Sequence, residues 1–166
     1  GYIAPRHMKA IKDTGSELVV AMDSNDSVGI LDSHFPEAEF FTQFERFEAF
    51  VDNERRAGRP LDWFAITSPN YLHNAHMQFA LRSGSDAICE KPIVLNPDEL
   101  DALQSLEKAT GRRIWTILQL RLHPAILEFK ERVAREWTGT KEDVDLTYIT
   151  SRGKWYHESW KGDERK

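Results

Sequence analysis

Apolar positions along this chain follow two spacings that take turns, and the alternation predicts strands and helices in succession. Ile3, Met8 and Ile11 recur at helical spacing until Gly15 ends the run. Leu18 to Met22 is a continuous apolar stretch between Glu17 and Asp23, the pattern of a strand buried on both faces that finishes in a carboxylate. A short polar helix follows, then Glu39-Phe40-Phe41 as a small edge strand, then Phe44, Phe47, Phe50 and Val51 at helical spacing up to Arg56. Gly58-Arg59-Pro60 turns the chain into a strand at Trp63 to Thr67. Ser68-Pro69-Asn70 forms the next loop, and a helix from Tyr71 to Arg82 closes at Gly84.

The unit then repeats. Asp86 to Cys89 reads as a strand, Glu90-Lys91-Pro92 as the loop at its end, and Asn96-Pro97-Asp98-Glu99 as a capped helix start running to about Thr110. Ile114 to Leu118 is another strand, and His123-Pro124 opens a helix with Ile126, Phe129, Val133 and Trp137 on one face. Such alternation predicts an α/β fold with a doubly wound parallel sheet, helices on both faces and ligands at the carboxyl ends of the strands. From Asp143 to Ser151 apolar and polar residues alternate, with Val144, Leu146, Tyr148 and Ile149 among polar neighbours, which predicts a half-solvated strand of a second sheet. The expected organisation is a dinucleotide-binding domain over 1–122 and the start of a second, α+β substrate domain over 123–166.

Composition narrows the partners. The 166 residues, 40% hydrophobic and 11% aromatic, suffice for a packed core. A net charge of -5 with scattered Lys and Arg gives no basic stripe, so nucleic acid is not an expected partner. No segment reaches the roughly 18 to 20 apolar residues of a membrane span, and the single cysteine, Cys89, fits a reducing compartment, so the expectation is a cytoplasmic protein. The chain opens on Gly1 without an initiator Met, from which an upstream segment is expected.

Three strand ends hold residues with chemistry. Asp23 stands where a dinucleotide fold places the acid that accepts the adenosine ribose hydroxyls, about 20 residues after a glycine turn. Gly1 would be the last glycine of that turn. Ser24-Asn25-Asp26 offer no cation for a 2′-phosphate, which favours NAD over NADP; alternatively Asp23 caps the next helix. Ser68-Pro69-Asn70 with His73 has small polar groups suited to the nicotinamide side of a cofactor, or is a turn with a helix cap. His73 and His76 have no third ligand at metal spacing, so surface or capping roles are expected of them and no metal. Lys91, in Glu90-Lys91-Pro92, is of a type and position to hydrogen-bond a reacting hydroxyl and move its proton. Cys89 reads as a small buried hydrophobe.

Taken together, Asp23, Ser68-Pro69-Asn70-Tyr71-Leu72-His73 and Cys89-Glu90-Lys91-Pro92 resemble, in order and spacing, the glucose-fructose oxidoreductase, inositol dehydrogenase and MocA family over about residues 1 to 125. The resemblance implies a Rossmann-type domain and nicotinamide-dependent oxidation or reduction of sugar and cyclitol hydroxyls. It implies a catalytic or substrate-orienting role for Lys91, a cis Lys91-Pro92 peptide, and cofactor contacts from Gly1, Tyr2, Ile3, Asp23, Ser68, Pro69, Asn70, His73, Glu90, Lys91 and Gln119. Gly1 to His7, Gln119-Leu120-Arg121, Thr150 to Tyr156 and Ser159 to Asp163 resemble a narrower branch, the UDP-N-acetylglucosaminuronate 3-dehydrogenases of bacterial O-antigen synthesis. That resemblance implies a nucleotide-sugar substrate held by Lys91, Arg121, Arg152, Trp155, Tyr156 and Lys161, unless Trp155 and Trp160 are core or interface residues.

Departures from the family pattern sharpen the expectation. Family members begin with a strand and a full glycine motif and place a catalytic histidine beyond the position of Lys166. In the strand order 3-2-1-4-5-6 the first strand is central, so a chain without it should form two half-sheets with open edges and be unstable alone. The family also implies a homo-oligomer, a dimer or tetramer. Rival readings are a dehydrogenase of a free sugar or inositol, and a non-catalytic nucleotide- or sugar-binding regulatory protein on the same fold.

Overall fold

The computed structural model describes residues 3–26, 28–141, 143–149, 151, 153 and 154. The chain divides into two compact units, Gly1–Thr116 and Ile117–Lys166, so the expected boundary near Leu122 falls inside the second. The first unit holds α1 (Ala4–Asp13), β1 (Val20–Met22), α2 (Val28–Asp32), β2 (Glu39–Phe41), α3 (Phe44–Arg56) and β3 (Trp63–Ile66). A 3-10 turn (Asn70–Leu72) then leads into α4 (His73–Arg82), β4 (Asp86–Cys89), α5 (Glu99–Thr110) and β5 (Ile114–Thr116). The architecture is a Rossmann-type α/β fold in which every strand pair is parallel.

Two sheets form, β1-β2 and β3-β4-β5. These occupy places 2-3 and 4-5-6 of the doubly wound order, leaving the edges of β1 and β3 without a common neighbour among the described residues. Register sets Val20 beside Glu39, Trp63 beside Asp86, and Ala87 beside Ile114. Because the strands are parallel, their carboxyl ends emerge along one edge of each sheet.

Three helices stop by the same device. In α1 the Gly15 N–H donates to Lys12 O and the Ser16 N–H to Ile11 O; in α3 and α4 the bonds recur at Gly58 and Arg59, then at Gly84 and Ser85. These are Schellman closures, and the glycine in each sits at φ between 71 and 85°, a conformation that costs a β-carbon about 1 kcal/mol or more. The start of α5 departs from expectation. Asn96 Oδ1 accepts the Asp98 N–H at 3.1 Å, as a cap should, but regular helix begins at Glu99. Glu99 does not close a capping box; its carboxylate instead takes the Asn74 amide of α4 at 2.8 Å.

Packing occurs around two centres. Ile66, Met77, Ala80, Ala87, Cys89 and Leu103 bury one against another between the three-stranded sheet and α4 and α5. The second centre contains Val20, Phe47 and Val51, with Met22, Phe41, Phe44, Phe50, Leu61, Phe64 and Phe79 against them. It draws on both sheets. Phe79 of α4 meets Phe64 edge-on at 5.6 Å and Phe44 at 5.2 Å, and Phe47 of α3 meets Phe64 at 6.0 Å. Side chains therefore join what no backbone ladder joins.

Three expectations need correction. The β1 strand is shorter than Leu18 to Met22 and only Val20 is buried, because the strand lies at an open sheet edge. The segment α2 was expected to be polar, yet Leu31 is buried. In the second unit a 3-10 turn (Gln119–Leu122) precedes α6 (Pro124–Glu136), with His123 accepting the Ala125 N–H as its cap. Beyond it, residues 143–149 form no strand, and Leu146 and Ile149 are 91% and 89% exposed. Alternation supplies a strand with a face, but only a neighbouring backbone supplies the ladder, and none is present among the described residues. The apolar face of α6 is likewise open, with Phe129 and Trp137 exposed. No helix of the described residues is long and apolar enough to cross a membrane.

Replacing Phe79 by Ala removes the ring shared by α3, β3 and α4. It is expected to lower the unfolding free energy by about 3 kcal/mol in a denaturant titration, whereas Phe79→Leu should lose less than half of that.

Candidate functional site

Parallel pairing brings two loops of the site side by side. Ile66 and Cys89 are register partners, so the chain leaves β3 toward Ser68 and leaves β4 toward Glu90 from neighbouring positions, and the Glu90 N–H extends the ladder to Ile66 O at 3.0 Å. Asp23 follows β1 at the carboxyl end of the other sheet, its N–H donating to Phe41 O.

Asp23 Oδ1 accepts the Asn25 N–H at 3.0 Å and the Asn25 amide at 3.3 Å. This turn precedes α2 without capping it, since α2 begins at Val28. Burial raises the carboxyl pKa, but hydrogen bonds, those from Asn25 among them, outweigh it and hold the group below its ordinary value. The side chain is a carboxylate at neutral pH.

Lys91 is exposed and its ammonium makes no hydrogen bond or ion pair with a described residue. The Lys91-Pro92 peptide is cis, as the family resemblance implies. The residues around Lys91 are anchored. On one side, the His7 ring of α1 donates from Nε2 to Glu90 Oε1 at 2.9 Å, with both side chains about 15% exposed or less. On the other, His73, 1% exposed at the start of α4, sets Nδ1 at 2.6 Å from Pro92 O and Nε2 at 3.0 Å from Ser68 O.

His76, one turn on, bonds Ser68 Oγ through Nδ1 at 2.9 Å and stacks on Phe44 at 5.5 Å. Burial first, and then the charge of His73, push its pKa below the ordinary value, so it is neutral at pH 7 and fixes the Ser68 hydroxyl. The spacing-based reading of His76 as a surface or capping residue is replaced by this one. A cavity of about 780 Å3 opens between α3 and α4 against Met22, Phe44, Val51, Leu72, His76 and Phe79. It includes neither Lys91 nor Asp23.

The expected site residues therefore divide. Ser68, Pro69, Asn70, His73, Glu90 and Lys91 are gathered on neighbouring loops, and Asp23 stands at the end of the second sheet. The ring of His73 has both nitrogens engaged inside the protein, so its expected cofactor contact is corrected to a contact between loops. Ile3 precedes α1, where its carbonyl takes the Arg6 N–H. Gln119 and Arg121 are exposed on the 3-10 turn of the second unit. Gly1, Tyr2, Arg152, Trp155, Tyr156 and Lys161 lie outside the described residues. His7 lies in the Gly1 to His7 motif, but its partner is 83 residues away, and no local spacing signals such a pair.

Residues 1–118 match the model of an oxidoreductase family with an NAD-binding Rossmann fold. The chain belongs to the Gfo/Idh/MocA oxidoreductase family. Among solved structures it is similar to the WlbA (WbpB) dehydrogenase of Thermus thermophilus in complex with NAD and UDP-GlcNAcA, at 53% identity and a TM-score of 0.94 over 99% of this chain. The same dehydrogenase in complex with NAD and alpha-ketoglutarate matches at 50% identity and a TM-score of 0.91 over 100% of the chain. Among curated proteins it is 29% identical over 69% of its length to the NADP(+)-dependent scyllo-inositol 2-dehydrogenase IolU of Bacillus subtilis, of which it covers 35%. The chain spans 53% of the Thermus structures.

At the end of β4, burial first, and then the Glu90 carboxylate, push the Cys89 thiol up to about 12. Below that pH the group is a protonated, inaccessible thiol, and the thiolate is the form that reacts. Iodoacetamide at pH 8 is accordingly expected to leave the folded protein unmodified and to alkylate Cys89 in denaturant; mass spectrometry of both samples checks it, and rapid native labelling would contradict the burial.

Proposed function

We propose that this chain is the nucleotide-binding part of an NAD-dependent dehydrogenase that oxidises the C3 hydroxyl of UDP-N-acetylglucosaminuronic acid to a ketone, in the synthesis of bacterial O-antigen sugars. The observation that carries this is the 53% identity, over 99% of the chain, to a dehydrogenase crystallised with NAD and UDP-GlcNAcA. The second unit would begin the substrate domain, the protein would act as a cytoplasmic homo-oligomer, and Arg121, Arg152, Trp155, Tyr156 and Lys161 would face the nucleotide sugar.

The residues fit the cofactor. Asp23 presents a carboxylate at a strand end, where it would accept two ribose hydroxyls, and its charge with Asp26 nearby in sequence would repel a 2′-phosphate. The Ser68 to Asn70 loop would hold the nicotinamide side. When bound, NAD supplies the hydride acceptor. Lys91, unpaired with any described residue, would orient the sugar hydroxyl and take its proton as the carbonyl forms. Glu90, tied to His7, is occupied in holding the loop.

The test uses the full-length protein with NAD and UDP-N-acetylglucosaminuronic acid, with and without 2-oxoglutarate, following NADH and ketone product together. Ketone formation, with Lys91→Met lowering kcat by about 1000-fold while NAD affinity changes less than about threefold, is the expected result. Unchanged turnover in Lys91→Met would remove the lysine from the chemistry. A second reading, oxidation of a free inositol or sugar, is favoured by the similarity to the inositol dehydrogenase; turnover of inositol in preference to the nucleotide sugar would select it.

A further inference from the structure

The His73 ring lies between the two loops that meet at the site. Its Nδ1 is 2.6 Å from the carbonyl of Pro92, the residue after Lys91, and its Nε2 is 3.0 Å from the carbonyl of Ser68. Carbonyl oxygens only accept, so a ring nitrogen that bonds either one does so as an N–H donor. The ring is 1% exposed, so water offers neither nitrogen an alternative partner. Both acceptors are backbone atoms, which makes the spacing of the loops a property of their main chains and of one rigid ring. The histidine itself is held by the 3-10 turn that leads into α4, where its N–H donates to Asn70 O.

We propose that His73 is a positioning residue that clamps the Lys91 loop to the Ser68 loop, setting where the proton-accepting amine stands relative to the cofactor-facing loop. It touches neither substrate nor cofactor. The proposal rests on the reading of Lys91 as the group that takes the hydroxyl proton, and it divides by nitrogen. The bond from Nδ1 places the lysine loop, and the bond from Nε2 places the Ser68 loop.

Two substitutions separate the halves, because an Asn amide nitrogen sits near the place of Nδ1 and a Gln amide nitrogen near that of Nε2. In the full-length protein His73→Asn should keep kcat within about threefold while raising the KM for NAD about tenfold. His73→Gln should keep the KM for NAD and lower kcat about tenfold or more. Hydrogen exchange read by mass spectrometry gives the same division without turnover: amides of 91–95 lose protection in His73→Gln and those of 68–72 lose it in His73→Asn. A purely structural histidine would move both loops, and both kinetic constants, alike in the two variants, and that result would overturn the clamp.

Should the wild type turn over no substrate, the proposed reaction falls and the exchange data still decide the clamp. Should neither variant fold, 15N-histidine spectra of the unmodified protein decide it. The His73 ring should show slowly exchanging protons on both nitrogens, and protonation on one nitrogen alone would tie one loop and refute the proposal.

Discussion

No backbone ladder joins β1 to β3, so the two sheets of the first unit depend on side chains to face one another. The phenylalanines do this. Phe47 reaches across from α3, Phe79 from α4, and Phe64 stands on β3 itself, belonging to the surroundings of both buried clusters. Aromatic rings are suited to the task because each covers a large area and tolerates edge-on neighbours at 5 to 6 Å. A hydrogen-bonded central strand would set the spacing of the sheets to a fixed ladder distance. Apolar contact sets it by volume alone, and every strand end in the first unit takes its place from that packing.

The site follows from the same constraint by way of parallel strands. Each β-α unit delivers its loop to the carboxyl edge, and the Ile66–Cys89 register sets the Ser68 and Glu90 loops beside one another. The fold leaves Lys91 exposed and restrains its two neighbours from different helices, Glu90 by His7 of α1 and Pro92 by His73 of α4. A reactive amine needs freedom to meet a substrate and a fixed point of attachment. Restraining the residues on either side of it meets both needs, since the lysine side chain makes no competing bond with a described residue.

How far these features are legible in the chain depends on the range of the interaction. Phe44, Phe47 and Val51 announce α3 because helical period is a local property, and Gly15, Gly58 and Gly84 announce helix ends because the closing bonds span only six residues. Asp23 and Lys91 are recognisable for a related reason: each stands within two residues of the end of an apolar strand run. Alternation from Asp143 to Ser151 misled, since it describes a face and says nothing about whether another strand lies alongside. His73 and His76 were legible as positions but not as roles; the same spacing suits a cap, a cofactor contact or a buried clamp, and burial decides among them.

By itself the sequence determined the order of strands and helices, the parallel class, the residues at the strand ends and the family, since all of these are written in short-range period, turn chemistry and motif spacing. Tertiary structure alone decided that phenylalanines join the two half-sheets, that His7 meets Glu90, and that His73 joins the carbonyls of Ser68 and Pro92. Those contacts link residues up to 83 positions apart. Their partners are chosen by which surfaces the packed core turns toward one another, and no local pattern along the chain encodes that choice.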